Sequence, residues 1–151
     1  MNYPAIETLV PHRAPMLLLE RVVDSGEQWI CCDTVVGPRQ GLLLDAQGNL
    51  PGWCGIELMA QTIAAWAGLQ GHARGEPARI GMLLGARKYD SQRPVFAAGE
   101  RLLIEARCLL QDGGMASFEC VIRQEGQECA RAHLSTYQPD ESQLSDLLKA
   151  E

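Results

Sequence analysis

Closely spaced metal ligands and redox pairs are missing from this chain of 151 residues. Its six cysteines include no CxxC pair, and its three histidines stand far apart in the sequence. Metal centres and dithiol redox sites need ligands at short, defined spacings, so we expect no metal and no cofactor. We interpret the cysteines as reduced thiols that pack as small apolar side chains.

The N-terminus lacks both a basic start and a long apolar core, so no signal peptide is predicted and we expect a cytoplasmic protein. Positive charge is also scarce, because 13 Lys and Arg face 19 Asp and Glu, a net charge of −6. This balance argues against nucleic acid and membranes as partners. An acidic protein partner would need a local basic patch, for which the densest candidates are Arg87, Lys88 and Arg93.

The most apolar stretch, LPGWCGIELMAQTIAAWAGLQG (50–71), predicts one long helix. Pro51 and Gly52 interrupt the preceding structure, and strong helix formers follow. Apolar residues cover nearly every face, which is typical of a buried helix. Polar interruptions at Glu57 and Gln61 argue against a membrane span.

Glu57 is the only formally charged side chain between Asp45 and Arg74. Burial of an unpaired carboxylate costs several kcal/mol. The side chain is therefore paired, solvated or functional. A solvated carboxylate that the helix dipole stabilises is as compatible with this position as a functional one. The small residues Ala60 and Ala64 would let a sheet or a ligand approach the Glu57 face closely.

The remaining pattern predicts a single α+β domain spanning residues 1–151, with one helix and six antiparallel strands. Short turns between the last four strands predict a meander. Because one helix cannot cover such a sheet, we expect pairing with a second subunit. The predicted elements are turns in 2–10, a hairpin of 16–23 with 29–36, a loop at 37–52, strands at 80–88, 102–110, 116–124 and 128–137, and a short terminal helix within the polar tail 140–151.

Three stretches carry a resemblance to a known family. They are LVPHRAPMLLLERV (9–22), LPGWCGIELMAQ (50–61) and LLGARKYDSQRPVFAAGERLLIEARCL (83–109). In this order they resemble the FabZ-type 3-hydroxyacyl-acyl-carrier-protein dehydratases, and most of all the dehydratase-like proteins of aryl-polyene pigment clusters. The resemblance covers residues 6–138 and leaves 139–151 as a polar tail.

The resemblance implies a hot-dog fold, in which an antiparallel sheet wraps a long helix and two subunits form a dimer. It places the catalytic acid at Glu57 and gives the Gly52 N–H the role of holding the thioester carbonyl, where helix N–H groups stabilise an enolate-like oxygen. Trp53 and Gln61, in the same motif, are expected to bind substrate. Arg87, Lys88 and Arg93 are expected to contact the acyl carrier protein.

One catalytic residue of the family pattern is missing. The pattern has a histidine fourteen residues before the acid, where this chain has Leu43. His72 lies about 22 Å from Glu57 along the same helix. His12 belongs to the N-terminal signature, where its expected role is structural, and His133 stands in a strand without a motif. Asp45 and Asn49, in the replaced loop, are further candidates.

Three functions remain open at this point. The favoured one is dehydration of 3-hydroxyacyl thioesters in fatty-acid or polyene-type biosynthesis, with Glu57 as general acid/base. The second is a catalytically incomplete subunit that pairs with a complete dehydratase subunit, which then supplies the histidine. The third is acyl-thioester hydrolysis, with Glu57 activating water. The partners that follow are an acyl carrier protein and a second copy or a paralogous hot-dog subunit.

Overall fold

The computed structural model describes residues 2–76 and 81–139, together with Asp146 and Lys149. Within these ranges one long helix packs on a six-stranded antiparallel sheet, as predicted. No helix in this part of the chain is long and apolar enough to cross a membrane. The predicted terminal helix in 140–151 lies outside the described residues, apart from those two positions. The elements are β1 (Arg21–Ser25), β2 (Trp29–Val35), β3 (Leu50–Pro51), α1 (Gly55–Ala73), β4 (Met82–Ser91), β5 (Val95–Phe96), β6 (Arg101–Asp112), β7 (Met115–Gln124) and β8 (Gln127–Tyr137), with 3₁₀ turns at Ile6–Thr8, Pro38–Gln40 and Gly52–Cys54.

The strand order differs from the predicted meander at one connection. The large sheet runs β1-β2-β6-β7-β8-β4. Strand β4 precedes β6 in the chain but pairs with β8, at the far edge. Strands β2 and β7 already occupy the two edges of β6, so β4 cannot pair with its neighbour in the chain and pairs with β8 instead. This crossover makes β4 an edge strand.

A second, two-stranded sheet falls where the sequence predicted loops. Strands β3 and β5 pair Leu50 with Phe96, and both side chains are fully buried. The Gly52 N–H continues the ladder by donating to the Pro94 carbonyl at 2.8 Å. Two-residue strands are too short to show alternation, so no sequence pattern indicates them. Their effect is to fix the chain just before α1.

The helix is not buried on every side, contrary to the prediction. One side packs into the core, where Trp66 meets Phe118 edge to face at 5.3 Å between ring centroids. The opposite stripe, formed by Glu57, Ala60, Ala64 and Ala67, is only partly buried. These positions share one helix face because they are spaced by three or four residues. The small side chains of this face border open space.

The six cysteines are all free thiols, in agreement with the prediction. Burial, followed by the charge of Glu105, raises the pKa of Cys31 to about 11. Burial likewise raises the pKa of Cys120 to about 12. Because the thiolate is the reactive form, these cysteines act as packing groups at neutral pH.

The segment before β1 lies directly against the helix. A Cβ at Gly68 would overlap the carbonyl group of Leu9. About two turns earlier on α1, the Gln61 side chain accepts a hydrogen bond from the Leu18 N–H at 2.9 Å. The Leu18 N–H thus bonds to the helix and not to β2, and β1 begins only at Arg21. Glycine at 68 is therefore a packing requirement.

Two alanine substitutions test this close approach. Gly71, in the last turns of the same helix, would place a Cβ no nearer than 3.6 Å to Glu76. We expect Gly71→Ala to stabilise the fold by up to ~1 kcal/mol through helix propensity. Gly68→Ala should destabilise it by about 1–3 kcal/mol, because the N-terminal segment must move. Urea unfolding measures both, and equal midpoints would contradict the contact.

Candidate active site

Glu57 lies in the first turn of α1 and borders a cavity of about 340 Å³. Its side chain is 38% exposed, so the carboxylate is neither sealed in the core nor fully in solvent. Gln61, one turn further on, donates an Nε2–H to Glu57 Oε1 at 3.2 Å. The acid is thus held at the cavity wall by a neighbour on its own helix.

The Gln61 amide is used entirely within the protein. Besides Glu57, its Nε2 donates to the Met16 carbonyl at 2.7 Å, and its Oε1 accepts the Leu18 N–H. The side chain is fully buried and does not line the cavity. The prediction that Gln61 binds substrate therefore does not fit this arrangement. Its amide instead joins the N-terminal segment, the helix and the acid.

His12 is the histidine that the fold brings to Glu57. Its Nε2 lies 3.8 Å from Glu57 Oε1, and both side chains line the cavity. Its Nδ1 is buried and has no hydrogen-bond partner among the described residues. Neither His72 nor His133 lines this cavity in the described part of the chain. The resemblance implied a structural role for His12, because the histidine of the family's N-terminal signature is not its catalytic one.

The cavity runs along the open face of α1. Its helix wall is formed by Ala60, Ala64 and Ala67 together with Ile63 and Trp66. The sequence predicted Ala60 and Ala64 beside a ligand. Met59, the neighbour of Ala60 on the helix, is fully buried and does not line the cavity. Opposite the helix, the described lining comes from β4 and from the adjoining ends of β6, β7 and β8, namely Gly81, Leu83, Gln111, Gly114, Ala116, Phe118, Thr136, Tyr137 and Gln138.

The helix start differs from the predicted carbonyl site. The N–H of Gly52 already donates to Pro94, and its carbonyl accepts the Tyr89 hydroxyl. The predicted contact from that N–H to a thioester is therefore not available. Trp53, predicted to bind substrate, is 67% exposed and outside the cavity lining. The first bonds of the turn are donated by the N–H of Gly55.

The loop that replaces the family's histidine is closed on itself. Leu43 packs partly buried against the core. Asp45 accepts hydrogen bonds from the N–H groups of Gln47 and Asn49 at 2.9 Å, and the Asn49 side chain accepts one from the Ala98 N–H. Neither candidate lines the cavity. The structure therefore does not bring Asp45 or Asn49 to Glu57.

The predicted basic patch divides into two parts. Arg93 donates to both carboxylate oxygens of Glu100 at 3.0 and 3.1 Å and also to Gln124. Its charge is thus neutralised inside the protein, and it does not offer a free cation. Arg87 and Lys88 are exposed on the edge strand β4.

Besides the acid itself, a nucleophile or a set of metal ligands near Glu57 could do chemistry, and the nearest cysteine in the sequence is Cys54. Burial, followed by the charge of Glu57, raises the pKa of Cys54 to about 11, so its thiol stays protonated at neutral pH. Within residues 2–76 and 81–139, no cluster of three potential metal ligands is present. What the arrangement offers is a carboxylate, an imidazole and a channel of small and apolar side chains.

A long helix wrapped by an antiparallel sheet, with an acid in the helix's first turn facing a cavity, defines a hot-dog protein with a carboxylate site. A family model supports a narrower assignment: the model of the ApeP-like proteins, described as ApeP dehydratase, matches residues 4–149. The chain belongs to this family. The predicted resemblance and the hot-dog fold are thereby confirmed, and the family is of the dehydratase, or hydro-lyase, type.

Similar proteins agree with this assignment. The FabZ 3-hydroxyacyl-[acyl-carrier-protein] dehydratase of Brucella melitensis is 31% identical over 136 residues, 87% of this chain and 84% of its own. The dehydratase heterocomplex ApeI:P from Xenorhabdus doucetiae includes a chain that is 37% identical, with a TM-score of 0.92 and coverage of 98% and 99%. A hypothetical thioesterase from Streptococcus pneumoniae, at 15% identity, TM-score 0.61 and coverage of 78% and 86%, shares the fold alone.

The contribution of the Gln61 hydrogen bonds to the free energy of unfolding can be measured. Gln61→Ala leaves the buried Leu18 N–H and the Met16 carbonyl without partners, so we expect a loss of roughly 2–3 kcal/mol in the free energy of unfolding. Gln70→Ala is the matched control, because Gln70 on the same helix makes only a surface hydrogen bond at 3.3 Å to the Glu27 carbonyl. Similar urea midpoints for the two variants would show that the Gln61 hydrogen bonds do not stabilise the fold.

Proposed function

We propose that this chain is a subunit of a dehydratase that removes water from 3-hydroxyacyl thioesters borne by an acyl carrier protein, in fatty-acid or polyene-type biosynthesis. The observation that carries the proposal is the Glu57 carboxylate, which faces a cavity of about 340 Å³ beside His12. The FabZ relatives, named for the same reaction, support it.

The reaction needs two proton transfers, one from the α-carbon and one to the departing hydroxyl. The α-proton must leave the substrate, the Cβ–O bond must break, and the hydroxyl must depart as water. Glu57 is the acid/base group at the place where these bonds would lie. During the reaction the thioester oxygen gains negative charge, which a helix N-terminus stabilises. Because the Gly52 N–H is already engaged, we assign this oxygen to the N–H groups of Trp53 and Cys54, which precede the first intrahelical bond.

The acyl chain is proposed to lie along the open face of α1. From Glu57 to Ala67 the helix rises about 15 Å. Along this distance Ala60, Ala64 and Ala67 line the cavity beside Ile63 and Trp66, and the small alanine side chains leave room for an extended hydrocarbon. Burial of such a chain against apolar side chains contributes roughly 0.8 kcal/mol per methylene group.

Replacement of the acid tests the reaction. Glu57→Gln keeps the size of the side chain but removes the proton-transferring carboxylate, so we expect dehydration of a 3-hydroxyacyl thioester to slow by about 10²–10⁴-fold. Glu27→Gln, at an exposed turn, is the control and should react at the wild-type rate. Product can be followed by the absorbance of the enoyl thioester. Full activity in Glu57→Gln would refute the proposal.

Hydrolysis is the less favoured function on this fold. The thioesterase neighbours are 15–18% identical and share only the fold, whereas the family and the more similar relatives are dehydratases. Hydrolysis releases a free thiol and dehydration does not. A thiol reagent added to the same assay therefore separates the two reactions.

A second hot-dog subunit is proposed to close the cavity along β4. The outer edge of this strand carries no partner strand among the described residues. Its Leu83, Leu84, Gly85 and Ala86 are exposed, and Leu83 also lines the cavity. An exposed apolar stretch on an open strand edge is a site for strand pairing. The heterocomplex from Xenorhabdus doucetiae supports a paralogous partner, although a second copy of this chain would fit the same edge.

The catalytically incomplete subunit is retained as the second candidate function. The specific observation in its favour is Leu43, because a partner chain could supply the histidine that this position lacks. The carrier protein is proposed to bind at the exposed residues Arg87 and Lys88 of the edge strand β4, because it is acidic and these side chains are basic.

A charge on the edge strand should prevent assembly. We expect Leu84→Glu, at a position 53% exposed, to lower the mass of the purified protein from dimer to monomer. Leu42→Glu, at 67% exposure in a loop away from β4, should leave the mass unchanged. Sedimentation equilibrium measures both. Unchanged association of the Leu84 variant, with itself and with the other subunit of the Xenorhabdus doucetiae complex, would contradict the proposed edge.

A further inference from the structure

We propose that Glu57 carries out both proton transfers through its Oε2 atom, and that His12 is a positioning residue that holds the other oxygen with an Nε2–H. This inference rests on the proposed dehydration. It names the residue that removes the α-proton, because the loop at Leu43 has no histidine for this role. The observation behind it is the arrangement of two nitrogen donors around a single oxygen of the carboxylate.

Both polar neighbours of the acid approach Oε1. Gln61 Nε2 donates to it at 3.2 Å, and His12 Nε2 lies 3.8 Å away. Oε2 has no hydrogen-bond partner among the described residues, and the side chain borders the cavity. A carboxylate held by one oxygen is fixed in orientation while the other remains able to accept a proton. Because catalytic contacts are often long before substrate binds, the His12 contact can shorten in the loaded site.

The environment of His12 determines which of its nitrogens carries the proton. Nδ1 is buried without a partner, so a proton there would have no acceptor in the described structure. A proton on Nε2 instead points at the Glu57 carboxylate. The tautomer of a histidine follows the contacts of its two nitrogens, so the neutral ring carries its proton on Nε2. In this state Nε2 is a donor and has no lone pair with which to remove an α-proton.

In the described lining of the cavity, no other charged group competes for these roles. Arg13, next to His12, directs one guanidinium nitrogen to the carbonyls of Val10 and His12 itself at 2.8 and 2.7 Å. From the sheet side, the only ionisable side chain in the described lining is the phenol of Tyr137. Among the described lining residues, Glu57 is therefore the single carboxylate that faces the proposed substrate position.

The reaction balances with this one carboxylate. Oε2 takes the α-proton while the electron pair of the C–H bond moves into the thioester, giving an enolate-like oxygen. When the Cα–Cβ double bond forms, the Cβ–O bond breaks. The carboxylic acid then returns the same proton to the departing hydroxyl, and water leaves. No further acid or base is needed, and both bonds break on the face of the substrate that meets Glu57.

Exchange of the α-proton separates the roles of the two residues. An acyl pantetheine thioester without a 3-hydroxyl group cannot eliminate water, but a base can still exchange its α-hydrogens with D₂O. We expect wild-type protein to exchange them, as measured by mass spectrometry. Glu57→Gln should slow this exchange by about 10²-fold or more, because it removes the base.

Variants of His12 should affect the same exchange only moderately. His12→Gln keeps an N–H donor, whereas His12→Ala removes it and should slow exchange about fivefold to tenfold, as for the loss of one hydrogen bond. A rate for His12→Gln between those of wild type and His12→Ala is the rescue expected of a positioning donor. His72→Gln is the control, because His72 is exposed at the other end of the helix. Unfolding midpoints show whether each variant is folded.

The outcomes distinguish this inference from the function on which it rests. Exchange that disappears in folded His12→Gln but persists in Glu57→Gln would overturn the inference and make His12 the base. The inference would also be overturned if the wild-type protein dehydrates a 3-hydroxyacyl thioester but does not exchange the α-hydrogens of the analogue. If Glu57→Gln dehydrates at the wild-type rate, the proposed function itself fails.

Discussion

The structure around the acid depends on the buried amide of Gln61. Through the Leu18 N–H and the Met16 carbonyl it attaches the N-terminal segment to α1, and through Glu57 Oε1 it orients the carboxylate. A buried amide that satisfies several partners specifies one geometry, because each lost bond would leave a polar group without water. The position of His12 follows from this attachment, since it belongs to the attached segment.

The open face of the helix gives the fold its second constraint. A helix that packs on a sheet normally buries its large side chains and exposes charged ones. Here the outer stripe carries alanines instead, and the space beside them is bounded by the edge strand β4, whose first half is exposed and apolar. Cavity and edge are therefore neighbouring features. A subunit that covered the edge would also exclude water from the cavity, which strengthens electrostatic interactions at Glu57.

The replacement of a histidine by Leu43 need not remove acid–base chemistry from such a site. A carboxylate can accept and return a proton by itself when one oxygen is held and the other is free. An imidazole whose Nδ1 is buried without a partner is better suited to donate from Nε2 than to accept there. On this view the N-terminal segment contributes orientation, and the chemistry is concentrated in one side chain.

The sequence alone determined the long helix, the antiparallel strands, the lone acid and the missing histidine, because periodicity, turns and charge are local properties. The short β3–β5 ladder, the crossover of β4 and the engagement of Gly52, Gln61 and Arg93 were decided only by the tertiary structure. Each of these depends on which distant groups meet. The pairing of His12 with Glu57 is the clearest case. Forty-five positions separate the two residues, and no local pattern encodes the buried amide that brings their segments together.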